Sequence, residues 1–281
     1  MKKKTDNHPK RIFKKLLLCI LAVILLVTIW FEIPVTEYIS LDGNGKIDTP
    51  VRFALVTDLH SCYYGKNQSQ LVEMIDKGHP DAVLLSGDIF DDKFSDDNSK
   101  TFVEAIVSKY PCFYVTGNHE FWSERETETK KYLTSIGVVA LEGTSCTINI
   151  KGNDIDICGV DDPTYMTPDE WMAQLDNANT MSNPEHYRIL LSHRPEKVDE
   201  YTNYNFDLVV CGHAHGGQWI NPFTGRGTIA PNQGRFPKYV DGLYELSDST
   251  NMIVSRGLVR ERMPYPRFFN HPEIVIIDIG A

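Results

Sequence analysis

The aspartates and histidines of this 281-residue chain cluster after strand-like segments. Five apolar runs of strand length end in residues able to hold a cation or move a proton. VRFALVT leads into Asp58 and His60, and AVLLS into Gly87 and Asp88. CFYVT leads into Gly117, Asn118, His119 and Glu120, RILLS into His193, and LVVC into Gly212, His213, Ala214 and His215. Asp58 and His60 stand at i and i+2, as do His213 and His215. In an extended segment such pairs face the same way. Gly87 lets the backbone turn sharply or approach closely beside Asp88. Ligands of open α/β sheets bind beyond the carboxyl ends of the strands, so these residues are expected to converge where they serve no core. One such histidine is ordinary. Several, each placed after a strand, form a pattern that surface chemistry alone does not produce.

Carboxylates mixed with imidazoles suit Mn, Fe or Zn better than Ca, and the lack of a cysteine motif argues against a structural zinc. Two ions bridged by one carboxylate, about 3.5–4 Å apart, would polarise a phosphoryl oxygen and generate a hydroxide between them. Neither a GxSxG elbow nor a P-loop competes with this chemistry. Ser61 and Cys62, beside His60, are conceivable nucleophiles. A two-metal site needs none, so local hydrogen bonding or packing is their expected role. Arg194, Arg235, Arg256, Arg260 and Arg262 are candidate contacts for an anionic ester, with Arg256 in its SRGL turn foremost. The alternative for each is a charge facing solvent. Phe223, Phe236, Pro237 and Tyr239 could form an apolar lip for an acyl or prenyl tail, or simply pack their own loop.

These residues need a scaffold. Strand-like runs at 51–57, 81–86 and 112–116 alternate with helical patterns at 69–77, 99–108 and 124–135. That is the β-α-β-α-β order of a mostly parallel sheet with crossover helices. A hairpin is expected at 146–150 and 154–160, a short helix at 169–175, and strands at 188–191 and 208–211. Runs at 243–246, 253–255 and 274–279 are expected to close the fold as an antiparallel set. The fold class is therefore α/β, with two packed sheets flanked by helices. The domain is expected over residues 50–281, after a juncture at 36–49 in which Tyr38 and Ile39 start an edge strand.

Before it lies an unbroken apolar run, Leu16–Phe31. A spanning helix takes about 20 apolar residues, so 16–35 is expected to be a single transmembrane anchor and 1–15 a cytoplasmic basic tail. The seven Lys/Arg of that tail place the catalytic domain outside the cytoplasm. A cleaved signal is disfavoured because TIWFEIPV offers no small-residue processing site. KRIFKK is only a weak match to a twin-arginine signal. The formal charge is −10 overall; with the tail removed, 21 basic and 37 acidic side chains leave −16. So acidic a body repels nucleic acid and suits divalent cations. The six cysteines, Cys19, Cys62, Cys112, Cys146, Cys158 and Cys211, include no CxxC pair, and buried thiols are the expected reading.

Asp58-Leu-His60, Gly87-Asp88, Gly117-Asn118-His119-Glu120, His193 and Gly212-His213-Ala-His215 together resemble the calcineurin-like metallophosphoesterase superfamily, in its block order. GHAHGGQ, GLYELSDSTNMIVSRGL and the final RFFNHPEIVIIDI are similar to its membrane-associated bacterial branch of YkuE- and YaeI-like phosphoesterases. The resemblance implies a four-layer α-β-β-α sandwich and two divalent ions, with Mn favoured for activity. It implies Asp58, His60, Asp88 and His215 on one ion, and Asp88, Asn118, His193 and His213 on the other, with Asp88 bridging. Asp88 and His119 are the implied catalytic residues, His119 contacting the phosphate or protonating the leaving oxygen, and Glu120 could orient His119. The expected reaction is direct attack by metal-bound hydroxide on a phosphodiester or pyrophosphate of a lipid-linked or cell-envelope substrate, by a monomer. A phosphomonoesterase acting on small molecules or phosphoproteins, and a non-catalytic phospholipid-binding membrane protein, are the alternatives.

Overall fold

The computed structural model describes residues 8–247, 249–260 and 266–281. Arg262 and the first seven residues of the basic tail lie outside the described residues. Two six-stranded mixed sheets pack face to face. The first runs in the order Val35–Leu41, Glu273–Ile279, Val51–Val56, Ala82–Ser86, Cys112–Val115, Val139–Ala140. The second runs Gly242–Glu245, Asn251–Val254, Leu208–Cys211, Tyr187–Leu191, Asn153–Gly159, Thr144–Ile150. Alternate residues of Val51–Val56 serve opposite faces. Phe53 and Leu55 meet Ile189, Leu191 and Val210 between the sheets, whereas Ala54 and Val56 pack under the helices Ser69–Gly78, Asp97–Val107 and Glu126–Ser135. Trp171, Leu175 and Ala178 of the helix Pro168–Met181 cover the outer face of the second sheet. The result is the expected α-β-β-α layering.

Two sequence expectations need correction. The helix expected at 169–175 continues to Met181, because Leu175 and Ala178 extend its buried stripe. The last strand does not join a closing antiparallel set. Gly242–Glu245 and Asn251–Val254 do form an antiparallel pair in the second sheet, but Glu273–Ile279 enters the first sheet, antiparallel to Val51–Val56 and parallel to Val35–Leu41. Val35–Leu41 itself is a full edge strand that takes the last residue of the anchor expected at 16–35 and the start of the expected juncture, and the helix before it stops at Phe31.

The N-terminal helix is His8–Phe31. Its apolar stretch, Arg11–Phe31, has 21 residues and is unburied by the rest of the chain. At 1.5 Å per residue that is about 31 Å, the thickness of a bilayer core. The helix ends against the domain. The Phe31 ring lies 5.0 Å from that of Phe269, Arg260 donates to the Glu32 carbonyl at 3.1 Å, and His271 Nδ1 lies 2.9 Å from the Ile33 carbonyl.

The inter-sheet layer holds the catalytic edge together, so truncating it should be felt globally. Leu55→Ala should lower unfolding free energy by about 2–5 kcal/mol, read from urea denaturation in detergent. A loss under ~0.5 kcal/mol would mean that the sheets do not share a packed core.

Candidate metal centre

The carboxyl ends of five parallel-running strands meet at one edge of the sandwich. Cross-sheet hydrogen bonds fix that meeting. Ser86 Oγ lies 3.1 Å from the Ser192 carbonyl and 3.0 Å from that of Val210, so it joins the two sheets where the ligand-bearing loops begin. The Asp58 N–H donates to Gly87 O and the His60 N–H to Asp88 O, each at 3.0 Å.

Asp58, His60, Asp88, His213 and His215 all have φ between 47° and 65°. The extended i, i+2 geometry expected for Asp58/His60 and His213/His215 is thus wrong in detail. The pairs converge through left-handed turns instead. Such residues are rare outside glycine and cost about 1–3 kcal/mol each, persisting where the surroundings over-determine them. Gly117 allows the third loop to close in: a Cβ there would stand 2.2 Å from Asp88 Oδ1.

Four groups of donors each gather within a few ångströms. Asp58, His60 and His215 form one, Asp88, His193 and His213 a second, His60, Asp88 and His119 share members with both, and Asp91, Asp92 and His119 form a fourth beside them. His215 Nε2 lies 3.1 Å from Asp58 Oδ1. His193 Nε2 lies 3.1 Å from Asp88 Oδ2 and 3.8 Å from Asp58 Oδ1. His60 Nε2 lies 3.5 Å from Asp88 Oδ2. Three buried atoms here, His60 Nε2, His193 Nε2 and Asn118 Oδ1, have no hydrogen-bond partner; His193 Nε2 is near Asp88 but out of line for a bond. Buried polar atoms are normally paired. Three orphans from three loops, each with a lone pair to give, are what a pair of cations would satisfy.

The two buried carboxylates draw positive charge to this point. Burial disfavours the His193 imidazolium, but Asp88 and Asp58 outweigh it and pull the group up to about 10, so a cation would take the place of the proton on its Nε2. Burial, with His193 and Arg194 adding to it, pushes His213 down to about 3, leaving a neutral imidazole. Burial would raise Asp88, yet the surrounding histidines hold it well below the usual carboxylate range. The pocket is built for anions balanced by positive charge.

The supporting residues were only partly foreseen. Glu120 does not orient His119. Burial and the Asp88 charge push its carboxyl up to about 7, and it accepts the N–H groups of Asp88 (3.0 Å), Phe90 (3.0 Å) and Gly117 (2.8 Å). It therefore ties the Asp88 loop to the Asn118 loop. His119 is held by Asp92 instead, Nδ1 to Oδ1 at 2.6 Å, and His60 Nδ1 by Asp91 Oδ2 at 3.0 Å. The adjacent acids Asp91 and Asp92, just after Gly87-Asp88, were the missed signal. Arg194 lines the cleft, but its guanidinium is already engaged by Asp162, Thr164 and Asn232. Asn232 Oδ1 and Arg194 Nη1 lie 2.9 and 3.0 Å from His213 Nε2, so Nε2 is the ring nitrogen that this shell holds. Arg256 is turned away from the site. Its guanidinium pairs with Glu273, and its N–H donates to the same carboxylate at 2.8 Å. Arg235 is exposed and Arg260 is spent on Glu32 and Tyr63 carbonyls. Ser61 and Cys62 are buried in packing, as expected.

Above the donors lies a cleft of about 620 Å³. Asp88, Asn118, His119, His213 and His215 lie along it, while Trp122, Ile229, Ala230 and Pro231 supply an apolar side. Phe223, Phe236, Pro237 and Tyr239 do not line it. Tyr239 packs on Tyr244, with ring centroids 5.1 Å apart.

A family model described as calcineurin-like phosphoesterase matches residues 51–217. An uncharacterised metallophosphoesterase of Helicobacter pylori is 30% identical over 240 residues, 83% of this chain and 61% of that protein. The chain thus spans about three-fifths of the length of that relative. The uncharacterised metallophosphoesterase YkuE of Bacillus subtilis is 27% identical over 74% of this chain and 70% of its own. Phosphodiesterase YaeI of Escherichia coli is 25% identical over 82% of each. No one branch dominates these likenesses. Among solved structures, the NAD nucleotidase NadN of Haemophilus influenzae has a similar fold, with a TM-score of 0.50 at 16% identity over 75% of this chain and 46% of that one.

Because Glu120 is the tie between two ligand loops, Glu120→Gln should leave the fold intact by circular dichroism. An amide places N–H groups against N–H groups there. Affinity for Mn, read by titration calorimetry, should fall about 10–100-fold; unchanged affinity would remove Glu120 from the site's support.

Proposed function

The chain belongs to the calcineurin-like phosphoesterase family, and from that premise we propose that it is a two-metal phosphohydrolase held at a membrane surface. The observation that carries this reading is the set of three orphaned buried donor atoms, from three different strand ends, gathered around Asp58 and Asp88. Asp58, His60, Asp88 and His215 would hold one ion, and Asp88, Asn118, His193 and His213 the other, Mn being the favoured metal. Bound there, the ions supply polarisation of a phosphoryl oxygen and a lowered pKa for water.

The chain's own residues do the rest. Asp92 accepts from His119 Nδ1, so Nε2 is the ring atom left to meet a leaving oxygen, and it would give a proton there only from the doubly protonated ring. Asp91 fixes the His60 ring, and Asn232 fixes that of His213. Glu120 keeps the Asp88 and Asn118 loops at one spacing. Arg194 stiffens this shell through Asp162 and Asn232, leaving phosphate binding to the ions and His119.

The substrate we propose is a phosphodiester or pyrophosphate of a lipid-linked or cell-envelope molecule. The apolar side of the cleft suits a substrate with an apolar part, and the N-terminal helix keeps the site near a bilayer. The diesterase preference draws support from the likeness to YaeI. We place the chain in the membrane-associated bacterial branch and orient it with the domain outside the cytoplasm, on the basic residues that precede the apolar run Leu16–Phe31.

With Mn, the full chain in detergent should hydrolyse bis-p-nitrophenyl phosphate in preference to p-nitrophenyl phosphate. His119→Ala should lower kcat by about 10²–10⁴. Preference for the monoester would establish a phosphomonoesterase. Activity insensitive to chelator, to Asp88→Asn and to His119→Ala would end the two-metal reading. Topology has its own test: protease added to intact cells should cleave the large domain, and protection of the domain would reverse the orientation.

A further inference from the structure

The stretch between His215 and Asp241 is unlike the rest of the chain. No aspartate or glutamate occurs from Leu208 to Val240, although the sequence has 38 acidic residues. The stretch carries Arg226, Arg235 and Lys238, all exposed, and among the described residues none of the three pairs with a carboxylate. Interleaved with them are exposed apolar side chains. Phe223 is 95% exposed, Phe236 76%, Ile229 53% and Trp219 43%.

Backbone bonds shape this stretch into a compact meander. Ile220 bridges Gly227, and the Thr228 N–H donates to Trp219 O at 2.9 Å. Ile229–Ala230 then pairs antiparallel with Gly234–Arg235. Phe223 stands in the turn between the first two arms, where its N–H donates to Asn221 Oδ1 at 2.9 Å. The meander is joined to the foot of the membrane helix. The Ile220 N–H donates to Phe268 O at 3.0 Å, and the Trp219 and Phe268 rings lie 5.8 Å apart. The next residue, Phe269, packs on Phe31. At its other side the meander reaches the cleft, which Ile229, Ala230, Pro231 and Asn232 line.

We propose that the meander Trp219–Val240 is a second membrane contact: its aromatic and cationic side chains sit in the headgroup layer of an anionic bilayer and seat the cleft mouth on the membrane that the helix spans. Exposed apolar side chains gathered in one element mark an interaction surface. Aromatic rings favour the membrane–water boundary, and Lys and Arg near an anionic leaflet are attracted to it. A soluble acidic partner would meet the same charges, but the aromatic content and the continuity with the helix foot favour the bilayer. The proposal rests on the helix spanning a membrane and is independent of the hydrolase reading.

The test uses the full chain reconstituted into vesicles of phosphatidylcholine with phosphatidylglycerol, or of phosphatidylcholine alone. Phe223→Trp adds a reporter whose emission is obtained by subtracting the wild-type spectrum. Lipids brominated near the headgroup end of the acyl chain should quench it at least ~2-fold in the anionic vesicles and less in the neutral ones. Arg226→Glu with Arg235→Glu should erase the difference between the two lipids. Equal emission in brominated and plain anionic vesicles would overturn the proposal. So would a blue shift that grows with protein concentration in lipid-free detergent, which would assign the surface to a second copy of the chain. Hydrolysis of bis-p-nitrophenyl phosphate, read on the same samples, should match wild type. Its absence from wild type would sink the proposed reaction and leave the quenching result to decide the membrane contact.

Discussion

Asp58 and Asp88 are buried almost completely, on adjacent loops, with carboxylates turned toward the same small volume. Removing a charge from water costs several kcal/mol even after relaxation, unless a partner of opposite sign compensates. Much of the surrounding architecture answers that cost. His193 lies between the two carboxylates, and His215 and the His213 N–H engage Asp58. Glu120, buried beside them, accepts three backbone N–H groups, and burial with the Asp88 charge pushes its carboxyl up to about 7. Fixed donors offset part of that burial, and two divalent ions held at this point would offset more of it. The left-handed backbone at five of the donors is a second strain held in place by the same framework. A fold without a tightly interlocked sheet edge could not hold both.

The sequence exposed the donors because each follows an apolar run, and the periodicity of such runs is a strong local signal. Most strands from Val51 to Cys211 and the longer helices between them were legible for the same reason, whereas the strand Val139–Ala140 and the short helices Asn118–Trp122 and Val198–Tyr201 were not. What stayed hidden depended on distant partners. Glu120 next to His119 looks like its orienting carboxylate, yet a helix start turns it back onto Gly117 and across to the Asp88 loop. Arg256 has a substrate-like position in sequence, but Glu273, 17 residues on, claims it. Asn232 sits in an irregular loop with no periodicity to mark it. Its importance comes from meeting His213 in space. Val35–Leu41 could not be assigned as a full strand because its partner is the last strand of the chain.

The foot of the N-terminal helix is joined to the ligand-bearing edge, and the joint is short. Only three residues separate Phe31 from the strand that begins at Val35, too few for a flexible tether. On one side of residues 266–271, Phe269 and His271 grip the helix end through Phe31 and the Ile33 carbonyl. On the other side, Asn270, buried between them in sequence, donates to the carbonyls of His215 at 2.8 Å and Gln218 at 3.0 Å. His215 is one of the donors around Asp58, and Gln218 borders the cleft. A tilt of the helix against the domain would therefore strain the loop that carries a proposed ligand. If the helix spans a membrane as proposed, it would also fix the height and the facing of the cleft relative to the bilayer, so a phosphate ester could be reached only within a narrow range of depths. On the proposed membrane placement, the bilayer would be a positioning element of the site, and substrate selection would begin with where a molecule's phosphate sits in the headgroup layer.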